Sequence, residues 1–325
     1  MSVWYDLGEV PADLGRTVVT VGNFDGVHKG HRVVIARARS VAATVGGLPV
    51  VAVTFDPHPM QVLLPERAPR RLTSIDHRCQ LLNEAGAEHV LVLPFDRDMA
   101  SWAPEEFIRR VLVGSLGARA VVVGENFRFG ARAAGTTATL AETGARVGFE
   151  VTALELAGAA HPWSSSFVRR ALAEGDVVEA ARALGRDHSV RGAVVEGDKR
   201  GRELGFPTAN VPTDGRTAVP LDGVYAGWLR RLDEADAPAL PAAISVGTNP
   251  TFDGVQHRVE SYLLDRTDLE LYGVPVEVSF VERLRGQERY DGVEALVAQM
   301  RLDVDQARTI LGVEAPDGLG RHGRR

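Results

Sequence analysis

Between residues 17 and 156 the chain repeats one pattern: a short, continuously apolar run, a loop, then a stretch with apolar residues at helical spacing. The runs are TVVTVG (17–22), PVVAVTF (49–55), residues 89–93, RAVVVG (119–124) and residues 149–156. The helical stretches cover residues 30–45, 74–85, a segment opened by Pro104, Glu105 and Glu106, and residues 139–148. Proline at a first helical position, followed by acids, suits a helix N-terminus. A strand that is apolar throughout, with no polar alternation, has both faces covered, and helices between such strands cover a parallel sheet. The expectation is a Rossmann-like α/β domain, whose ligands bind at the carboxyl ends of the strands.

From about residue 188 the pattern breaks. Short β-branched segments at 190–195, 224–229, 242–247, 258–264 and 274–280 are punctuated by Gly, Pro, Asp and Asn. That spacing predicts a small antiparallel barrel or sandwich. A helix from Asp291, with Val293, Leu296, Val297 and Met300 on one face, closes it. Two domains, 1–185 and 186–314, with a disordered tail at 315–325, fit a length of 325 residues.

Charge limits the partners. Residues 1–185 hold 19 Lys and Arg against 20 Asp and Glu, and the remainder 18 against 23. Neither half carries the basic surface that nucleic acid requires, whereas a small anion needs only a local positive site. The single cysteine, Cys79, excludes an intrachain disulfide and a cysteine metal site, and its helical setting reads as a buried free thiol. The acidic N-terminus lacks the basic and apolar regions of a signal peptide, and no apolar stretch is long enough to span a membrane. A cytoplasmic protein with no membrane partner is expected; its oligomeric state is open. Only two lysines occur, Lys29 and Lys199, and each falls in a motif-like segment.

The first such segment joins the first strand to the first helix: Gly22, Asn23, Phe24, Asp25, Gly26, Val27, His28, Lys29, Gly30 and His31. Two imidazoles three apart around a glycine, at a helix N-terminus, suit a polyphosphate. Free N–H groups and the helix dipole attract the anion, and the imidazoles stabilise charge as pyrophosphate leaves. A metal site is the rival reading, but it needs further ligands, and the nearest acid, Asp25, sits in a turn.

GNFDGVHKGH resembles the adenylyl-binding signature of the nucleotidylyltransferase superfamily, in the longer form typical of bifunctional riboflavin kinase/FAD synthetases. TFDPHP (54–59), GENFRFG (124–130) and SSSFVR (164–169) follow in the family's order. The resemblance implies that Gly22, Asn23, Phe24, Asp25, Gly26, His28, Gly30, His31, Asn126, Ser164, Ser165, Ser166 and Arg169 bind ATP. Ser164–Ser166 would offer hydroxyls and N–H groups at a second helix N-terminus, and Arg169 would hold the outer phosphates. Phe55, Phe127 and Phe129, apolar rings at strand ends, are candidates to line a flavin slot. The third serine stands where the family has threonine.

The second segment carries Gly197, Asp198, Lys199, Arg200, Gly201, Arg202, Glu203, Leu204, Gly205, Phe206, Pro207, Thr208, Ala209 and Asn210. Glycines and cations suit a loop around phosphates, although this is not a P-loop. In an extended segment Thr208 and Asn210 share a side, and their hard oxygens suit Mg²⁺ when phosphates and water complete its shell. GRELGFPTAN resembles the ATP loop of riboflavin kinases, which implies nucleotide contacts from Gly197, Lys199, Arg200, Gly201, Gly205, Phe206, Pro207, Thr208 and Asn210. Glu260, within VESYLLD, matches the family's catalytic base. Arg266 and Tyr290 depart from the family pattern, at positions that bear on flavin packing.

The resemblance therefore implies two reactions. A C-terminal kinase makes FMN from riboflavin and Mg·ATP, and an N-terminal adenylyltransferase makes FAD and pyrophosphate from FMN and ATP. His28, His31 and Glu260 are the expected catalytic residues. The alternatives are a nucleotidylyltransferase with one activity and a non-enzymatic flavin-binding regulator.

Overall fold

The computed structural model describes residues 2–155, 163–197, 204–251, 254–266 and 269–314, with backbone alone at 248–251 and 254–257. Contacts divide the chain into two compact units, Met1–Ser165 and Ser166–Arg325. Lys199, Arg200 and Gly201, and the tail at 315–325, lie outside the described residues.

The first unit is built on a parallel sheet of six strands. They are β1 (Ser2–Trp4), β2 (Thr17–Val21), β3 (Val50–Asp56), β4 (His89–Pro94), β5 (Ala118–Gly124) and β6 (Glu150–Leu154), in the order β1-β4-β3-β2-β5-β6. All its pairings are parallel. Five of these strands are the predicted apolar runs. Every residue of β2 is buried, as burial on both faces requires. The sixth, β1, was not anticipated: three residues give no period, and its pairing with residues 89–91 is visible only in three dimensions. Trp4 stacks on His89 there, ring centres 4.9 Å apart.

Helices α1 (Lys29–Thr44), α2 (Pro59–Leu63), α3 (Ile75–Glu84), α4 (Arg97–Ser101), α5 (Pro104–Phe107) and α6 (Thr137–Val147) join these strands, α5 continuing as a π-helical stretch, Ile108–Ser115. Ser74 caps α3 by accepting the His77 N–H at 3.3 Å. The short α2 and α4 were not predicted, since five residues hold too little periodicity. One apolar cluster gathers Val19, Val53, Leu91, Leu112 and Phe129; another gathers Phe24, Ile35, Leu82 and Val90.

The second unit opens with α7 (Ser165–Glu174) and α8 (Val177–Leu184), then forms an antiparallel sheet. Its strands are β7 (His188–Ala193), β8 (Thr208–Pro212), β9 (Gly223–Arg231), β10 (Leu240–Thr251), β11 (Gly254–Leu263) and β12 (Pro275–Arg285), ordered β7-β12-β9-β10-β11-β8. The sheet curls until its two ends meet, Val195 donating its N–H to the Asn210 carbonyl at 2.9 Å. The expected barrel-like fold is present, and so is the final helix, α9 (Val293–Leu311). Two forked ion pairs clamp α9 to the sheet: Arg285 to Asp303 at 2.6 and 2.9 Å, and Arg308 to Asp265 at 2.8 and 2.9 Å.

Candidate active sites

In the first unit the turn after β2 runs directly into α1. Its backbone is forced: Phe24 and Val27 take left-handed conformations, φ 48° and 40°, which side-chain-bearing residues avoid. Burial of both side chains opposes that cost. His28 caps α1, its Nδ1 accepting the His31 N–H at 3.4 Å, so the neutral ring carries its proton on Nε2 as a donor. The two imidazoles stack with centres 3.6 Å apart, and Phe24 meets His31 edge-on at 5.1 Å. Gly30 is needed for this approach, because a Cβ would stand 3.1 Å from the His28 ring and 3.2 Å from the Trp163 carbonyl.

Burial, with His28 and Arg78 nearby, holds His31 well below its ordinary value of 6.5, so it is uncharged at neutral pH. Its Nδ1 is enclosed without a hydrogen-bond partner. The result is a helix N-terminus carrying two stacked imidazoles, that of His31 uncharged, with the positive backbone end left to attract an anion.

Asp25 faces inward. It is 2% exposed, and its carboxylate accepts the N–H groups of Leu72 and Thr73 at 3.0–3.1 Å and the Thr73 hydroxyl at 3.2 Å. Its backbone carbonyl accepts the Ser165 hydroxyl at 2.9 Å, which brings the serine run to the histidine turn. Ser166 follows, exposed, and Arg169 lies one turn on, half-buried, in α7. Ser164 is half-buried, and Lys29 reaches over Trp163, 4.8 Å from the ring centre. Asn23 is exposed, with its amide 3.4 Å from His58 Nε2. Gly22 and Gly26 complete the turn, and Asn126 is exposed in the loop after β5.

The three phenylalanines separate. Phe129 is a core side chain, stacked on Phe127 at 5.3 Å and packed against Phe107. Phe127 and Phe55 are half-buried at the rim of that cluster.

In the second unit, strand register does the positioning. Asn210 on β8 stands opposite Glu260 on β11, which stands opposite Ser245 on β10. Two residues along, Thr208 stands opposite Tyr262, and Tyr262 opposite Ala243. These side chains share a face because the strand period is two. A cavity of about 260 Å³ opens between this face and α9, walled by Thr208, Glu260, Tyr262, Arg285, Tyr290 and Val304, among others. Phe206 packs on Tyr262, ring centres 5.1 Å apart, with Gly205 and Pro207 in the same approach to β8. Asn210 is nearly buried and donates Nδ2 to the Thr208 carbonyl at 3.2 Å, leaving its amide oxygen as the acceptor. Gly197 lies against that amide so closely that a Cβ would come within 2.5 Å of it.

Tyr290, singled out in the sequence, lies on the cavity's far wall; its neighbours there, Arg285 and Gln287, and the fully buried Arg78 of α3 were not anticipated. An arginine beside Cys79 and ahead of Leu81 and Leu82, on a helix whose other face is polar, was the one signal for Arg78.

A helix N-terminus bearing stacked histidines beside a parallel sheet, and a cleft on an antiparallel sheet, are the two candidate sites, and both suit transfer chemistry on nucleotides. Sequence comparison narrows that class. Residues 10–166 match the FAD synthetase family and residues 184–311 the riboflavin kinase family. The bifunctional riboflavin kinase/FMN adenylyltransferase of Escherichia coli K12 is 35% identical over 313 residues, covering 96% of this chain and 97% of its own. That of Pseudomonas fluorescens is 38% identical over 303 residues, covering 92% and 94%. The chain belongs to the bifunctional riboflavin kinase/FMN adenylyltransferase family. A crystal structure of a macrolide-efflux protein from Streptococcus pneumoniae superimposes with a TM-score of 0.83 at 31% identity, over 94% of this chain and 98% of that one. Among the described residues, no helix is long and apolar enough to cross a membrane.

Proposed function

We propose how this chain, a riboflavin kinase and FMN adenylyltransferase, divides its two reactions among its residues. In the first unit an oxygen of the FMN phosphate attacks the α-phosphorus of ATP; the bond to the β-phosphate oxygen breaks, and pyrophosphate leaves. His28 and His31 donate N–H groups to the phosphate oxygens where charge grows. Ser164, Ser165, Ser166 and Arg169 hold the outer phosphates, and Asn23, Phe24 and Asn126 border the nucleotide. Asp25 serves by fixing the turn. Phe55 and Phe127, half-buried at the strand ends, bear on the flavin, with Phe129 backing Phe127. The observation that carries this assignment is the stacked histidine pair at the N-terminus of α1.

In the second unit the ribityl 5′-hydroxyl attacks the γ-phosphorus of a second ATP, and ADP leaves. Glu260, on the cavity wall, takes the hydroxyl proton. The flavin ring enters the cleft beside Tyr262 and Tyr290. Gly197, Lys199, Arg200, Gly201, Gly205, Phe206 and Pro207 form the nucleotide loop. Among the described residues no group of three or more His, Cys, Asp or Glu is placed to hold a metal ion. The Thr208 hydroxyl and the Asn210 amide oxygen fit Mg²⁺ carried by nucleotide phosphates, where it would neutralise charge on the transferring group.

Neither half carries a net positive charge, which supports small-molecule substrates without nucleic acid; a cytoplasmic site of action belongs to the same reading. The family matches end at residue 166 and resume at 184, so α7 and α8 lie between them; we place the catalytic boundary at 185/186. Purified protein incubated with riboflavin, ATP and Mg²⁺ should yield FMN and then FAD on separation of the flavins. With FMN and ATP alone as substrates it should yield FAD and pyrophosphate. Failure to form either product refutes the matching assignment.

A further inference from the structure

The histidine turn rests on a charged group that the two reactions do not use. Arg78 is 2% exposed and lies beneath the turn that carries Asn23, Asp25, His28 and His31. Its Nη1 donates to the Thr54 hydroxyl at 3.3 Å and to the Phe55 carbonyl at 3.1 Å, at the carboxyl end of β3. Its Nη2 stands 3.7 Å from the Asp25 carboxylate. Thr54 in turn donates to the Asn23 carbonyl at 2.9 Å, and Asp25 gathers the amides of Leu72 and Thr73. Thr73 also accepts the Gly26 N–H at 3.3 Å. One guanidinium therefore ties the loop after β2, the end of β3 and the segment ahead of α3. Through Asp25, whose carbonyl accepts the Ser165 hydroxyl, the tie reaches the last residue of the first unit.

Such a tie has a physical purpose here. The turn contains two residues in left-handed backbone, and a strained turn keeps its shape only where its surroundings over-determine it. Asp25 supplies the anchoring hydrogen bonds, and a buried carboxylate needs a counter-charge. Arg78 is that counter-charge, and its planar fork lets it serve β3 at the same time.

We propose that Arg78 is a positioning residue for adenylyl transfer: it locks the histidine turn to the end of β3 and sets the electrostatic surroundings in which His31 works. This rests on the assignment of FAD formation to the histidine turn. The charged and titratable groups around the pair are Asp25 and His28 of the turn, Asp56 of β3, Arg71 ahead of α3, and Cys79 beside Arg78. Burial lowers the Arg78 value, and Asp25 and Asp56 oppose the shift. A guanidinium stays charged throughout, so it repels a proton from His31.

The test uses the full chain and three variants: Arg78→Met, Arg78→Lys and His31→Ala. Far-UV circular dichroism and a thermal melt of the full chain report whether the first unit of each variant is folded, and FMN formation reports that the second unit is active. Arg78→Met should lower kcat/KM for ATP in FAD formation on the order of 10²-fold, the scale of about 1 Å of misplacement. FMN formation should stay within about twofold of wild type on the same scale of comparison. The acid limb of the FAD pH profile should move to higher pH in Arg78→Met. Arg78→Lys keeps the charge and loses the fork, so its acid limb should stay while kcat/KM falls to an intermediate level.

An Arg78→Met protein that makes FMN normally, with FAD kcat/KM and acid limb both unchanged, overturns the inference. If Arg78→Met does not fold, Arg78→Lys decides it: a tenfold or greater fall supports positioning by the fork, and wild-type FAD kinetics overturn it. His31→Ala separates the two levels of argument. If His31→Ala retains FAD formation, the assignment of the site is wrong; if it loses FAD formation while both Arg78 variants keep it, only the role of Arg78 is wrong.

Discussion

The two sites are built by opposite means. In the first unit the residues proposed to act on phosphate sit on a turn, and a turn has no ladder of its own to hold it. Its shape comes from a buried Asp25–Arg78 pair, a capped helix and close glycine contacts. In the second unit the residues proposed for the kinase sit on strands, and pairing register alone places Glu260 opposite Asn210 and Thr208 two residues away. A loop site depends on side chains distant in sequence, whereas a strand site inherits its geometry from backbone hydrogen bonds. The first is therefore more fragile to changes behind it, and the second to changes within it.

The sharpest way to break this contrast is Glu260→Gln. If the glutamate is the base, FMN formation should fall by about 10²- to 10⁴-fold, the range for a lost general base. Conversion of supplied FMN to FAD should continue, and both are read from one flavin separation. Retention of kinase turnover would remove Glu260 from its role.

His28→Ala or His31→Ala should do the reverse. FAD formation should fall about 10²- to 10³-fold, as for a lost oxyanion donor, and FMN should accumulate from riboflavin. Parallel loss of both activities in a folded variant would end the division of labour between the units.

Cutting the chain sharpens the comparison further. Fragments 186–325 and 166–325 should both make FMN and no FAD. The longer should melt about 4 °C or more above the shorter, because Leu172, Val177, Ala183 and Leu184 are buried and Leu172 accepts the Leu221 N–H at 2.9 Å. Thermal melts by circular dichroism and a kinase assay give the answer. If only the longer fragment is active, the boundary at 185/186 is misplaced.

The smallest effect is on stability against pH. Native His31 refuses a proton that the unfolded chain accepts near 6.5, because its folded value is lowered. Its share of stability is complete above that pH and declines as pH falls below it, by at most about 1.4 kcal/mol per pH unit. His31→Gln should therefore flatten the decline of stability between about pH 6.5 and 5, measured by denaturant titration. An unchanged slope would mean that His31 takes up its proton normally.

Much of this was legible from residue patterns. Apolar runs long enough to be buried strands announced β2 to β5, because burial on both faces removes polar residues from a strand; the edge strand β6, with no fully buried residue, was announced by its β-branched run alone. Glycine-framed histidines announced the first site, because local spacing along a helix start is a short-range property. Thr208 and Asn210 could be put on one side of a strand for the same reason. The pairing of that strand with the one bearing Glu260 could not, because register between strands some fifty residues apart leaves no local trace.

What the sequence by itself determined, then, is whatever depends on neighbours within a turn or a strand: the two fold classes, the histidine pair at the start of α1, the donor chemistry of each loop. Only the tertiary structure decided which of those residues face a ligand and which hold the others still. Asp25 and Phe129 look like site residues from their motifs, yet one is turned inward to the amides of Leu72 and Thr73 and the other is packed in the core. Arg78 looks like an ordinary helical arginine, yet it is buried at the meeting of three segments. The reason is physical: a buried charge or ring is placed by contacts with distant parts of the chain, and those contacts exist only once the chain has folded.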